Sequence, residues 1–303
     1  ALFVTVSGCT STVSSILAYV EVLPHCILIL RSFTHWIGGM GVLVFLLSLL
    51  PLAVGYHMNL MKAESPGPSV SKLVSKVQST AKILYTIYCG MALLQLALLL
   101  IGRVPLFDSL CITFGTAGTG GFGIVNDSLG SYSTYCQVVT TIFMILFGVN
   151  FSAYYLILTK KFRQAFKYEE VRYYFGIIAV AIVIIALNTA HLFRNLLTAF
   201  QQAAFQVGSI ITTTGFSSTD FNQWPALSKT VLVLLMFVGA CAGSTGGGIK
   251  VSRILIRCKA AKKEFQLYLH PNAVKKIKMD DKVITHDILR STNIYISLYL
   301  MIL

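Results

Sequence analysis

The chain has 303 residues, of which 55% are hydrophobic and 12% charged. A soluble domain carries about 25% charged residues, so this composition excludes a water-facing globular surface, and its hydrophobicity excludes disorder. The formal net charge of +13 falls between apolar segments and not on a nucleic-acid-binding face, which leaves an all-α polytopic membrane protein.

The chain opens with a short, polar-flecked segment, residues 1–17, ending in Cys9-Thr-Ser-Thr-Val13. An apolar run at 33–57 is the first of five segments near the length of a membrane crossing. A crossing at 83–101, a short segment at 105–125 and a crossing at 137–158 come next. Another crossing at 174–190, a short segment at 195–217 and a long apolar stretch at 231–256 follow. A sixth crossing begins near Asn293 and is expected to be cut short by the end of the chain. The start at Ala1 has no leader pattern, so both ends read as cut and the chain as part of a longer protein.

The short segments are too brief, or too rich in Thr, Ser and Gly, to cross. Each is expected to be a re-entrant helix followed by extended backbone, which is tolerated at membrane depth only where protein or a wet cavity surrounds it. Basic residues give the orientation. Residues 58–83 hold four, 159–172 five and 248–290 eleven of the 24 Lys and Arg. These loops are assigned to the cytoplasm, and every short segment then enters from the outer side.

The resulting order of crossing, re-entrant segment, crossing and basic loop repeats. The units are repeat 1 at 1–62 (re-entrant segment and second helix), repeat 2 at 63–168, repeat 3 with a broken second helix at 169–265, and a cytoplasmic linker with the start of repeat 4 at 266–303. Three re-entrant parts end alike, in Cys9-Thr-Ser-Thr-Val13, Gly118-Thr-Gly-Gly-Phe122 and Thr212-Thr-Thr-Gly-Phe216.

Passing a bare monovalent cation requires backbone carbonyls in place of its water. Small or β-branched polar residues let the chain extend toward an axis, and glycine lets a carbonyl turn inward. Thr119-Gly-Gly-Phe-Gly123 and Thr213-Thr-Gly-Phe216 meet both needs. The C-terminal dipole of each preceding helix would favour a cation there. One such cluster alone reads as a helix-packing patch; three at equivalent places favour a pore. The stretch Gly239-Ala-Cys-Ala-Gly-Ser-Thr-Gly-Gly-Gly-Ile-Lys250 should unwind its helix, at about 1 kcal/mol per glycine relative to alanine. A flexible barrier under the filter, with Lys250 toward the cytoplasm, is one reading and a close helix crossing the other.

Other chemistries fit poorly. Ile249 separates Gly248 from Lys250 and no Ser or Thr follows the lysine, so this is no P-loop. Gly118–Gly123 has G-x-G-x-x-G spacing but follows a helical pattern, not a strand. The six histidines form no metal-binding spacing, and His35-Trp36 reads as an interfacial anchor, with pore duty a minor possibility. The seven cysteines form no C-x-x-C pair and read as small buried apolar side chains. Asp108, Asp127 and Asp220 lie in outer loops, where they would draw cations or simply be solvated.

Arg31-Ser-Phe-Thr-His-Trp-Ile-Gly-Gly-Met-Gly41, Ile211-Thr-Thr-Thr-Gly-Phe216 with Asn222-Gln-Trp-Pro225, and Cys241-Ala-Gly-Ser-Thr-Gly-Gly-Gly-Ile-Lys250 together resemble the TrkH/KtrB potassium-uptake family, the TrkH branch more closely. The resemblance implies four membrane helix–pore helix–membrane helix units around a pseudo-fourfold pore. It implies filter glycines at Gly121 and Gly215. The ion-binding positions are then Thr10, Ser11, Thr12 and Val13; Gly118, Thr119, Gly120 and Gly121; and Thr212, Thr213, Thr214 and Gly215. The gating loop is residues 239–250, with Gly239, Gly243, Ser244, Thr245, Gly246, Gly247, Gly248 and Lys250 as its working positions. The resemblance further implies K+ as the transported ion and no organic cofactor.

A homodimer, a cytosolic nucleotide-binding ring of the TrkA/KtrA type on the basic inner face, and a prokaryotic inner membrane are implied as well. The first filter departs from the family pattern at Val13, where a glycine is usual, and β-branching disfavours positive φ. A fourth filter is absent from this sequence, so this stretch alone should not close a pore. A sodium-permeable or weakly selective transporter and a non-conducting receptor or scaffold stay open beside the main reading. A membrane enzyme finds no nucleophile–base pair or paired intramembrane carboxylates to support it.

Overall fold

The computed structural model describes residues 2–12, 14–15, 19–41, 77–270, 276–280 and 282–302. Among these the chain is helical almost throughout. Helices α1 (Leu2–Cys9) and α2 (His25–Gly39) come first. Then come α3 (Val77–Ile101), α4 (Leu106–Ala117), α5 (Thr134–Phe147), α6 (Phe151–Leu158) and the single turn α7 (Phe162–Ala165). A third group comprises α8 (Glu169–Thr189), α9 (Leu196–Ile211) and α10 (Ala226–Val238). The chain continues through α11 (Val251–Leu269), an antiparallel hairpin pairing Lys278 with Val283, and α12 (His286–Ile302).

Local chemistry sets many of these boundaries. Pro24, Pro105 and Pro225 sit at the N-caps of α2, α4 and α10, where proline ends the upstream chain without losing a helical hydrogen bond. Ser133 caps α5 by accepting the Cys136 amide. Helix α8 begins with Glu169 and Glu170, whose charge suits a helix N-terminus. Its first amide, Glu169 N, donates to Asp280 of the hairpin at 2.8 Å.

The distribution of polarity is that of a membrane protein. Leu93, Leu94 and Ile101 on α3, and Val180, Val183 and Leu187 on α8, are exposed. Gln95, Thr113, Thr116, Thr140, Ser209, Thr212 and Thr214 are buried. Apolar faces turned outward around a polar interior match a lipid solvent. Two apolar cores lie under the polar centre. One surrounds Tyr88, Leu99, Phe143, Phe147 and Phe151 between α3, α5 and α6. The other surrounds Tyr174, Ile185, Val207, Ile211 and Cys241 between α8, α9 and the chain after α10.

The expected crossings at 83–101 and 174–190 are the uninterrupted helices α3 and α8, both long and apolar enough to span. The expected crossing at 137–158 is different. It breaks between α5 and α6, and the two axes meet at 94°. Gly148 ends α5, and the Asn150 side chain accepts the Ser152 amide at 2.8 Å to start α6. The crossing at 231–256 breaks as expected between α10 and α11. In the crossing expected at 33–57 the helix begins earlier, at His25, and stops at Gly39; residues 42–57 lie outside the described residues. The second helix of each unit therefore ends beside a glycine: Gly39, Gly148 or Gly239. The last helix starts at His286 instead of near Asn293, and the hairpin before it was not anticipated.

The units are stitched together in sequence order. The Tyr88 hydroxyl on α3 donates to the Trp36 carbonyl on α2 at 2.7 Å. The Tyr174 hydroxyl on α8 donates to the Ile145 carbonyl on α5 at 3.1 Å. Each tyrosine satisfies a carbonyl three residues before the glycine that interrupts the preceding unit's second helix.

Candidate ion-conducting site

Three short helices, α1, α4 and α9, end in the same backbone turn. Ser11, Thr119 and Thr213 adopt left-handed φ values of 55°, 56° and 57°. Their amides donate to Gly8, Thr116 and Ile210, at 3.0, 3.1 and 3.0 Å. The next amides, of Thr12, Gly120 and Thr214, donate to Ser7, Gly115 and Ser209, at 3.0, 2.9 and 2.8 Å. This is a Schellman closure, which normally employs glycine at the left-handed position. Here a hydroxylated residue holds it all three times, at a backbone cost of roughly 1–2 kcal/mol each.

The shared hydrogen bonds fix the register. Thr10, Gly118 and Thr212 correspond, as do Val13, Gly121 and Gly215. The first segment is thus displaced by one residue from a line-up beginning at Cys9. Gly121 and Gly215 both have positive φ, 59° and 87°. Val13 occupies their place in the sequence but lies outside the described residues.

Repeats 1 and 3 carry matching side-chain braces. Thr10 and Thr12 hydroxyls meet at 2.8 Å, and Thr212 and Thr214 hydroxyls at 2.7 Å. Ser7 Oγ donates to Ser14 O at 2.8 Å, and Ser209 Oγ to Phe216 O at 2.6 Å. Repeat 2 has glycines at these places, and a neighbour explains them. His35 is fully buried, with Nε2 2.7 Å from the Gly118 carbonyl, so the ring donates from that nitrogen. A Cβ on Gly118 or Gly120 would run into the His35 ring. The interfacial-anchor expectation for His35 is therefore corrected: it is an internal strut, because glycines from another unit leave space for it.

Gly120→Ala is expected to lower thermal stability in detergent by about 1–3 kcal/mol through overpacking. A His35→Ala change in the same chain should recover part of that loss, and a double-mutant cycle checks the coupling.

The aromatic residues after the turns also reach back one unit. The Phe122 ring lies under the buried Arg31 guanidinium, 4.1 Å from its carbon, and edge-on to His35. Phe216 is buried against Gly115 of α4. Of the three carboxylates expected in outer loops, Asp108 instead lies in the first turn of α4 and accepts the Tyr132 hydroxyl at 3.0 Å, while Asp220 accepts the Asn222 amide at 3.0 Å. Asp127 crowds Gly130. Burial, and then the Asp108 carboxylate, push the Tyr132 phenol above its usual range, so it stays neutral and donating. Asp108 and Asp220 thus hold local structure.

The 239–250 loop lies against the inner ends of two of these turns. Thr119 Oγ1 donates to the Thr245 carbonyl at 2.9 Å, and the Gly247 amide donates to Thr213 Oγ1 at 2.7 Å. A Cβ on Gly246 would sit 2.9 Å from the Thr212 carbonyl. Behind the loop is the α5–α6 break. The Cys241 amide donates to Gly148 O and the Phe151 amide to Gly243 O, both at 3.0 Å, and Thr245 Oγ1 to Phe147 O at 3.3 Å. Ser244 Oγ donates to Cys241 O at 2.7 Å.

Gly239 and Gly248 approach backbone to backbone with φ of 71° and 79°, and no Cβ fits between them. Lys250 is not displayed toward an aqueous side: it is buried, and its ammonium donates to the Gly246 carbonyl. The loop is a hydrogen-bonded segment between two broken helices, with neighbours on several sides.

Glu170 escaped the sequence reading. Its Oε1 accepts the Ala242 amide at 2.6 Å and the Ser252 amide at 3.1 Å. The available signal was a second acid in the first turn of a helix, which ordinarily reads as dipole matching. Cysteine burial was also overestimated: Cys111, Cys136 and Cys241 are buried, while Cys26 and Cys258 are exposed.

The sequence model of the TrkH cation transport proteins matches residues 1–303. The chain belongs to the TrkH family. A Trk system potassium uptake protein TrkH from Salmonella typhimurium is 33% identical over 307 residues, covering 100% of this chain and 64% of the relative. TrkG of Escherichia coli, another Trk system potassium uptake protein, is 31% identical over 303 residues, covering 99% of this chain and 62% of its own. The crystal structure of the potassium transporter TrkH from Vibrio parahaemolyticus superposes with a TM-score of 0.85 at 27% identity, over 99% of this chain and 62% of that one.

The chain thus spans less than two thirds of the length of the relatives it matches. Membership of the TrkH family and the matching fold make it a helical membrane protein.

Proposed function

We propose that this chain is part of the potassium-translocating membrane subunit of a Trk/Ktr-type uptake system. Potassium passes the carbonyls of residues 10–13, 118–121 and 212–215, and the 239–250 loop closes the path on the inner side. The observation that carries this reading is the threefold recurrence of one backbone turn, with a glycine-rich plug hydrogen-bonded to two of its three copies. Extended backbone after a helix C-terminus presents carbonyls to a cation at the favourable end of the helix dipole. The repeat boundaries at 62, 168 and 265, a homodimer, a cytosolic nucleotide-binding ring on the basic inner loops and residence in a prokaryotic inner membrane belong to the same proposal.

The test is rubidium uptake by the whole protein in proteoliposomes, competed with potassium and with sodium. Block by potassium alone supports a selective filter. No uptake by folded protein would overturn transport and favour a receptor role.

A second reading, weak selectivity, rests on the register. Val13 stands where Gly121 and Gly215 need positive φ, and valine resists that geometry. Val13→Gly is expected to raise discrimination of potassium over sodium, read as the ratio of their inhibition constants in the rubidium assay. An unchanged ratio removes this reading.

A further inference from the structure

We propose that Glu170 is the latch of the 239–250 loop, a positioning residue through which α8 holds the closed arrangement. One carboxylate oxygen accepts Ala242 N, on the strand of chain entering the loop, and Ser252 N, in the first turn of α11 that leaves it. Glu170 is 3% exposed, so no bulk water competes for that oxygen. A buried amide left without its acceptor costs the full desolvation of that group, which is why one oxygen serving two amides carries weight. The loop's own backbone adds few bonds at this level: Ala240 N to Gly247 O at 3.3 Å and Val251 N to Ala240 O at 3.1 Å.

The neighbouring residue links this latch to the basic inner region. The Glu169 carboxylate pairs with Lys259 on α11, and the Glu169 amide donates to Asp280 of the hairpin at 2.8 Å. Lys259 also donates to the Lys278 carbonyl at 2.7 Å. Two adjacent acids in one helical turn thus grip the loop and the segment that follows it. A displacement of α11 or of the hairpin would reach the loop through this turn. The proposal rests on the loop-as-barrier reading for its effect on flux, but not for its effect on the loop itself.

Cys241 lies in the loop next to Ala242, is buried, and reports on the loop directly. The experiment uses the full-length protein in proteoliposomes. It measures alkylation of Cys241 by N-ethylmaleimide, quantified on its peptide, together with basal rubidium uptake. Glu170→Ala is expected to speed Cys241 alkylation on the order of tenfold or more, with a parallel rise in basal uptake. Glu170→Asp keeps the charge but falls a methylene short of holding both amides, and should move both readouts in the same direction. It carries the comparison if the alanine variant is not recovered folded.

Glu170→Gln keeps an oxygen acceptor in place and should stay near the native values. Cys241 exposure without a change in uptake would uphold the latch and overturn the barrier reading. Cys241 protection unchanged in folded Glu170→Ala or Glu170→Asp would overturn the latch. So would a Glu170→Gln variant as exposed as the alanine one, since charge and not acceptor geometry would then be in control.

Discussion

Gly121→Ala is expected to abolish rubidium uptake by the whole protein. Gly121 and Gly215 occupy the same position in consecutive units, and both have positive φ, 59° and 87°. A Cβ on Gly121 would collide with the Thr214 carbonyl oxygen and come within 2.8 Å of Gly215 C and Phe216 N. All three are backbone atoms of the adjacent segment and cannot rotate aside as a side chain would. The positive φ adds backbone strain for alanine at either glycine, of order 1–3 kcal/mol.

Rubidium uptake by this variant, normalised to folded protein, is the check. Retained uptake would mean that segments 2 and 3 do not abut in the working molecule.

The second large effect is expected at Thr213. Its hydroxyl accepts the Gly247 amide at 2.7 Å and donates to the Thr212 carbonyl at 2.6 Å. Valine has nearly the same shape and the same β-branching, so Thr213→Val removes these bonds with little other change. The Gly247 amide then loses its acceptor; Gly247 is exposed, so the cost to the closed loop is the net worth of one hydrogen bond, about 0.5–1.5 kcal/mol. If the loop is the barrier, basal uptake should rise several-fold, with an upper bound of about tenfold, the change that 1.4 kcal/mol produces in a two-state equilibrium. Thr213→Ser keeps the hydroxyl and should stay close to native. A valine variant with unaltered uptake would show that the tether does not hold the barrier, and a serine variant as leaky as valine would implicate packing in place of the hydrogen bond.

Composition and spacing were enough to read the features that depend on the chain's own neighbourhood. The helical class follows from apolar length, and the breaking of the helix at 239–250 from its glycines. The three short helices could be read from their Thr, Ser and Gly endings. What escaped depends on residues far away in sequence. His35 beside Trp36 looks like an interfacial pair until Gly118 and Gly120 place a cavity around it. Glu170 looks like a dipole-matching acid until the loop, more than seventy residues on, brings two amides to it.

The α5–α6 break is intermediate. Gly148-Val-Asn150 is a helix stop and an N-cap in three residues, visible in principle, but submerged in an apolar run long enough to read as one crossing. Register was read two ways. The endings lined up from Cys9, while the family resemblance set Val13 against Gly121 and Gly215, and the amide reaching back five positions agrees with the second.

The backward reach of each unit has a consequence for biosynthesis. Tyr88 and Phe122 dock on α2, Tyr174 on α5 and Phe216 on α4. Every such joint links a unit to the one made immediately before it, so the ribosome delivers each keystone just after its socket. The joined units can therefore be assembled progressively as the chain enters the bilayer, with the 239–250 loop arriving only after both turns it fastens to are in place.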